Sequence, residues 1–220
     1  VGEGETARVQ KTGGAWRLVE PVQADAHATE LSSIANSLAS IDVQRVVDEN
    51  ATDVAQYGLQ PPRIEVAYKV TGEEQPRRLQ LGEKTPTGGD LYARVPGQNR
   101  VLLVSSFLES TFNKDPFALR DKAVLKFDRD KADGLELVKG QTSIDHTKSG
   151  SEWRLAKPIA ARADFGQVES IVVRLNSARM ESIVEPEAKD LAKYGLDRPT
   201  ATLVLLSGGE GWRPLFGRSG

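Results

Sequence analysis

Residues 16–18 read Trp-Arg-Leu with Pro21 behind them, and residues 153–155 read Trp-Arg-Leu with Pro158 behind them. Tyr57-Gly58-Leu59, followed by Pro62, returns as Tyr194-Gly195-Leu196, followed by Pro199. Both pairs are offset by 137 positions, 153 less 16 and 194 less 57. Two matched anchors at one spacing are hard to obtain by chance, so the chain reads as an internal duplication. The predicted class is α+β, with a first unit over residues 1–133 and a second over 134–220.

Each unit opens on a strand. Trp16 and Leu18 alternate with Arg17 and Val19, which predicts that the indole and the leucine face inward, with a hairpin turn at Gly13-Gly14 before them. Asp25 is the predicted cap of an amphipathic helix carrying Leu31, Ile34, Leu38 and Ile41. In the second unit Asp164 caps a helix carrying Val168, Ile171, Val172 and Leu175. On that reading the aspartates lie 139 apart, so the second unit holds two extra residues before its helix. Val43–Val47 and Met180–Val184 are predicted strands, each followed by a short helix near 52–56 and 187–193. Gly58 and Gly195 then stand where a helix stop requires φ > 0, with Leu59 and Leu196 folding back against the stop.

Ile64 to Val104 predicts a meander of about four antiparallel strands. Ser105 or Ser106 caps a helix carrying Phe107, Leu108, Thr111 and Phe112, and Asp115-Pro116 opens another. Val124–Phe127 and Leu135–Val138 are predicted strands. Leu215-Phe216-Gly217 answers Leu79–Gly82, and the remainder of the first unit has no counterpart before Gly220, so the second unit is expected to be truncated. A fragment of a longer chain, with an anchor or signal ahead of Val1, is the expected explanation.

Composition excludes several classes of function. The 29 basic and 31 acidic residues are interspersed, which argues against a nucleic-acid surface. The absence of cysteine removes disulfides, thiolate metal sites and cysteine nucleophiles. No apolar run reaches the roughly 18–20 residues of a membrane span.

The familiar catalytic patterns fail in turn. His27 and His146 are isolated from one another, so no histidine-based zinc site is expected. Asp128–Gly134 resembles a calcium loop but carries Ala132 at its fifth position and Lys139 at its twelfth. Gly82-Glu83-Lys84-Thr85 ends like a phosphate loop but sits in a predicted hairpin. Asn50-Ala51-Thr52 is a glycosylation triplet of a kind common by chance. The strongest enzymatic reading pairs Asp25 with Asp164 across a pseudo-two-fold cleft, as paired carboxylates hydrolyse glycosides. Capping accounts for both more simply, so no catalytic, cofactor-binding or metal-binding residue is predicted.

The ordered set Trp16-Arg17-Leu18 with Pro21, Ala24-Asp25, Tyr57-Gly58-Leu59 with Pro62, Leu81-Gly82 and Tyr92-Ala93-Arg94 resembles an uncharacterised bacterial family. Trp153-Arg154-Leu155 with Pro158, Ala163-Asp164, Tyr194-Gly195-Leu196 with Pro199 and Phe216-Gly217 repeat it. The family is known as domain of unknown function 4340. The resemblance implies an exported domain tethered by one N-terminal membrane helix, often associated with ABC-transporter components. The expected function is therefore a non-enzymatic extracytoplasmic module that binds transporter subunits or an envelope polymer. An envelope-glycan hydrolase using Asp25 and Asp164 is one alternative, and a structural spacer is another.

Overall fold

In the computed structural model, which describes residues 6–217, the chain is mixed α+β with three antiparallel sheets and four α-helices among those residues. It divides into two compact units, Val1–Asp121 and Lys122–Gly220. The division falls ahead of residue 133 because Ala132–Lys139 is one continuous strand, built into the sheet of the second unit.

The first unit begins with β1 (Arg8–Thr12), β2 (Ala15–Glu20) and β3 (Ala24–Asp25), a three-stranded antiparallel sheet in that order. Helix α1 (Ala28–Ala39) follows, then β4 (Arg45–Asp48) and a single 3-10 turn at Ala55–Tyr57. The meander comprises β5 (Ile64–Tyr68), β6 (Arg77–Lys84), β7 (Asp90–Arg94) and β8 (Val101–Ser105). With β4 it forms a five-stranded sheet in the order β4-β8-β7-β6-β5. Two short helices close the unit, α2 (Phe107–Phe112) and α3 (Pro116–Leu119).

Leu18, Ala24, Ala26, Leu31 and Leu119 form one core cluster, and Leu79, Leu81, Leu91, Ala93, Val104, Leu108 and Phe112 form another. Ile34 of α1 packs against both, so this helix ties the small sheet to the larger one. Phe107 of α2 is 66 % exposed. It is the first residue of a helix of only six, and Leu108, Thr111 and Phe112 supply the buried face.

The second unit consists of β9 (Ala132–Lys139), β10 (Thr142–Ser149), β11 (Glu152–Lys157), β12 (Ala161–Arg162), α4 (Phe165–Ser177), β13 (Ala201–Ser207), β14 (Glu210–Trp212) and β15 (Leu215–Phe216). The strands form one seven-stranded sheet in the order β12-β11-β10-β9-β13-β14, with β15 also paired to β13. Its single core gathers Ala132, Leu135, Trp153, Val168, Val172, Leu203 and Leu205.

The offset of 137 holds in three dimensions. Lys11 pairs with Trp16 across β1 and β2, and Lys148 pairs with Trp153 across β10 and β11. A register shift falls between Arg8 and Val9 in one hairpin and between Asp145 and His146 in the other. The peptide bonds before Pro21 and Pro158 are both cis. The helices keep the same offset: α1 starts at Ala28 and α4 at Phe165.

That last equivalence corrects the predicted cap. His27, not Asp25, caps α1, its Nδ1 accepting from the Glu30 N–H at 3.2 Å. Asp164 caps α4 as predicted, accepting from the Gln167 N–H at 3.1 Å. Asp25 belongs to β3, where it pairs with Arg17 at 2.6 Å, and its positional equivalent is Arg162 in β12. No residues are inserted before the second helix.

Two other predicted strands are absent. Met180–Val184 runs without a ladder, and Val184 is 78 % exposed. Strand β4 exists because β8 pairs with it, and the described residues of the second unit contain no strand in the place of β8. Val124–Phe127 is likewise irregular, held beside the end of α4 by the Val124 N–H donating to the Ala178 carbonyl at 3.1 Å. Apolar β-branched residues favour a strand only where a neighbouring strand can accept their backbone.

Candidate functional site

The most recognisable residues of the chain converge on a helix stop repeated in both units. Gly58 sits at φ 66° and Gly195 at φ 65°, the left-handed region in which a side chain is strained. The Leu59 N–H reaches back to the Val54 carbonyl at 3.2 Å, and the Leu196 N–H to the Leu191 carbonyl at 2.9 Å, the long bond of a Schellman stop. Leu59 is fully buried against Ala51, Val54 and Val101. The stops follow 3-10 turns at Ala55–Tyr57 and Ala192–Tyr194 that are shorter than the helices expected.

A second glycine explains why the motif recurs with Leu81-Gly82. A Cβ placed on Gly82 would fall on the Tyr57 carbonyl oxygen, well inside the closest approach of carbon and oxygen. A Cβ on Gly217 would collide with the Tyr194 carbonyl oxygen in the same way. Each stop is thus pressed against a bare backbone, β6 in the first unit and the residue after β15 in the second. Tyr57 stacks obliquely on Tyr92 at 4.9 Å, which places the Tyr-Ala-Arg motif in the same cluster.

The tryptophans differ between units. Trp153 is 1 % exposed, and its indole N–H donates to Glu169 at 2.8 Å. Lys148 bonds the same carboxylate at 2.9 Å and lies 5.4 Å from the indole centroid, while Arg129 approaches Glu169 at 3.5 Å. The indole N–H and the two cations hold the Glu169 carboxyl below its ordinary range. Trp16 is only half-buried, under Lys11 at 5.6 Å, and the equivalent of Glu169 is Ser32. Sequence alone did not single out Glu169. Its signal was an acidic residue on the helix face above a tryptophan strand.

Polar networks elsewhere are equally self-contained. Glu65, Gln80 and Arg94 lie opposite one another on β5, β6 and β7, linked by Gln80 Nε2 to Glu65 at 2.6 Å and Arg94 Nε to Gln80 at 2.7 Å. Lys84 and Arg63 bond Glu109 at 2.6 Å and 2.9 Å, and Lys84 chiefly holds that carboxyl below its usual range. Charges so paired are satisfied by neighbours and present no unmatched acid or base.

The residues weighed as chemical candidates occupy separate structural roles. Asp25 and Asp164 stand at non-equivalent positions, one in an ion pair and one in a cap. His27 is a cap, and His146 lies in β10 with its buried Nδ1 lacking a partner among the described residues. Asp128 caps the 3-10 turn Arg129–Lys131 and pairs with Lys131 at 3.1 Å, a charged turn. Gly82–Thr85 lies in the β6–β7 hairpin, closed by the Thr85 N–H donating to Asp90 at 2.9 Å. The described residues contain no cluster of three or more potential metal ligands and no helix long and apolar enough to span a membrane.

Two surface depressions stand out among the described residues. One is lined by Lys193, Tyr194, Gly195, Asp197 and Arg198, and the other by Phe127, Asp128, Lys131, Ser207, Glu210 and Trp212. Phe127 and Trp212 meet at 5.7 Å in the second. The architecture and these sites define an α+β module in two units whose signature residues form turns, stops and cores.

A family model described as a domain of unknown function (DUF4340) matches residues 16–152 and 153–216, and the chain belongs to that family. The matched segments begin on Trp16 and Trp153. No curated protein and no solved structure matches the chain.

Proposed function

We propose that this chain is a non-enzymatic binding or scaffold module made of two tandem copies of one fold, carried outside the cytoplasm on a membrane tether as an accessory of a transporter system. The observation that carries the reading is the use made of the repeated motifs. Trp153, the glycine stops, Gly82 and Gly217 are consumed by packing, and the charged residues around them are neutralised in pairs. A duplicated scaffold that devotes its signature to shape suits recognition over its outer surface. The tether and the transporter partner rest on the family resemblance.

Exposed apolar side chains favour binding over a passive spacer. Ile159 and Phe165 are 67 % and 52 % exposed, the first in the bend after β11 and the second at the start of α4. Affinity purification of the native, membrane-anchored protein under mild extraction tests the proposal. Co-recovery of transporter subunits or of an envelope polymer is the expected result, and recovery of the protein alone overturns it.

A further inference from the structure

The depression beside Phe127 and Trp212 lies wholly within the second unit and measures about 370 Å³, the size of a small-ligand site. Both rings pack partly on the core of that unit, and they meet at 5.7 Å with their planes tilted by 49°. Hydrogen bonds from three elements fix the segment that carries Phe127. Asn176 Nδ2 of α4 donates to the Phe127 carbonyl at 3.3 Å, and Ser207 Oγ of β13 donates to the Asp128 carbonyl at 2.7 Å. The Gly208 N–H, in the turn after β13, donates to the Lys131 carbonyl at 3.1 Å. A wall held in this way loses little freedom when a ligand docks on it.

The ladders show what is particular to the second unit. Trp212 stands opposite Leu205 as Arg77 stands opposite Tyr68, so an indole replaces a guanidinium that Glu73 binds in the first unit. The corresponding stretch of the first unit, residues 70–77, is exposed except for half-buried Glu73, although β7, β8, α2 and α3 are all present there. The opening in the second unit therefore belongs to the β13–β14 hairpin and to residues 126–131. It does not come from elements that only the first unit shows.

The rim is polar and balanced in charge, with Lys126 and Lys131 offsetting Asp128 and Glu210. Asp128 pairs with Lys131 at 3.1 Å, and Glu210 is without a partner among the described residues. Such a rim selects neither a strong anion nor a strong cation. It suits a neutral ligand that lays a C–H face on the electron-rich face of an aromatic ring and donates hydroxyls to a carboxylate. Pyranose sugars have both properties.

We infer that this depression is a saccharide-binding subsite, in which a sugar ring lies against Trp212 and donates a hydroxyl to Glu210 while Lys131 donates to a sugar oxygen. The inference rests on the binding-module reading and narrows its envelope-polymer branch to a neutral glycan.

The test titrates the whole purified chain with chitotetraose and with cellotetraose, followed by tryptophan emission and by saturation-transfer NMR of the sugars. Expected is saturable binding of at least one of them, with a Kd of about 1 mM or tighter. Raising salt to about 0.5 M should leave it unchanged, since no net charge is matched. The emission change should persist in Trp16→Phe and vanish in Trp212→Phe. Glu210 is exposed, so Glu210→Ala keeps the test decisive should Trp212→Phe fail to fold. That variant should bind about 10-fold more weakly or worse, through loss of a hydrogen bond to a charged acceptor. No binding of either sugar up to about 20 mM overturns the inference. So does binding that Glu210→Ala leaves unchanged, and so does binding that salt abolishes. Because free sugars meet the purified chain, failure here is distinct from failure to co-recover transporter subunits with the native protein.

Discussion

The Tyr57 carbonyl oxygen rests where the β-carbon of residue 82 would be, so Gly82 is required by a neighbour 25 positions earlier in the chain. Overpacking of a well-filled site costs about 1–3 kcal/mol. Gly82→Ala should destabilise the first unit by an amount in that range, read as a lowered midpoint in urea at constant slope. Gly217→Ala should act likewise on the second unit, through Tyr194. A wild-type midpoint in either variant would show that the contact yields freely.

Capping distinguishes His27 and Asp164 from Asp25. Replacement of a side chain that accepts from a helix N–H costs roughly 0.5–2 kcal/mol. Asp164→Ala should lose stability in that range, and His27→Ala should fall toward its lower end because imidazole is an uncommon cap. Asp25→Ala removes a half-exposed pair with Arg17, and such a pair is worth roughly 0–1 kcal/mol. Thermal denaturation of the three variants checks the order, and Asp25→Ala proving the most damaging would restore aspartate as the cap.

The tryptophans should respond unequally. Trp153→Phe removes the N–H that Glu169 accepts and should cost more than Trp16→Phe, by about 1–3 kcal/mol. Emission from Trp153 should also resist quenching by iodide while that from Trp16 does not. Equal quenching would contradict the burial difference.

Acid should weaken the second unit through Glu169. Its carboxyl is held below the ordinary value of 4.5, so the folded state binds its proton less tightly than the unfolded state. The stabilisation is therefore complete above the unfolded pKa and lost as pH falls through the lower folded value. Glu169→Gln should be less stable at neutral pH and show a shallower loss toward acid. Denaturation midpoints taken from neutral to acid pH measure the difference, and parallel curves would remove Glu169 from the account.

Much of this architecture was legible because glycine, proline and tryptophan act over short distances. The offset between the copies, the positive φ at Gly58 and Gly195 and the meander from Ile64 to Val104 could all be read from neighbours in sequence. Met180–Val184 was misread because a strand needs a partner, and the sequence of one strand does not reveal whether its partner is present. Asp25 was misread because aspartate is the commoner cap and the true cap, His27, lies two residues on. The clusters around Glu169 and Glu109 were missed because each joins charges from elements remote in sequence.

Arg8 faces Glu20 at 3.0 Å in the first hairpin, and at the equivalent positions Asp145 faces Lys157 at 2.7 Å, with the signs exchanged. Tandem homologous segments risk pairing with one another's strands while the chain is still folding. If β1 met β11 in that way, Arg8 would stand against Lys157, and Asp145 against Glu20 in the reciprocal error. Like charges directly opposed on a ladder repel. The reversed polarity therefore lets each hairpin recognise its own half, and makes sibling strands electrostatically foreign to one another.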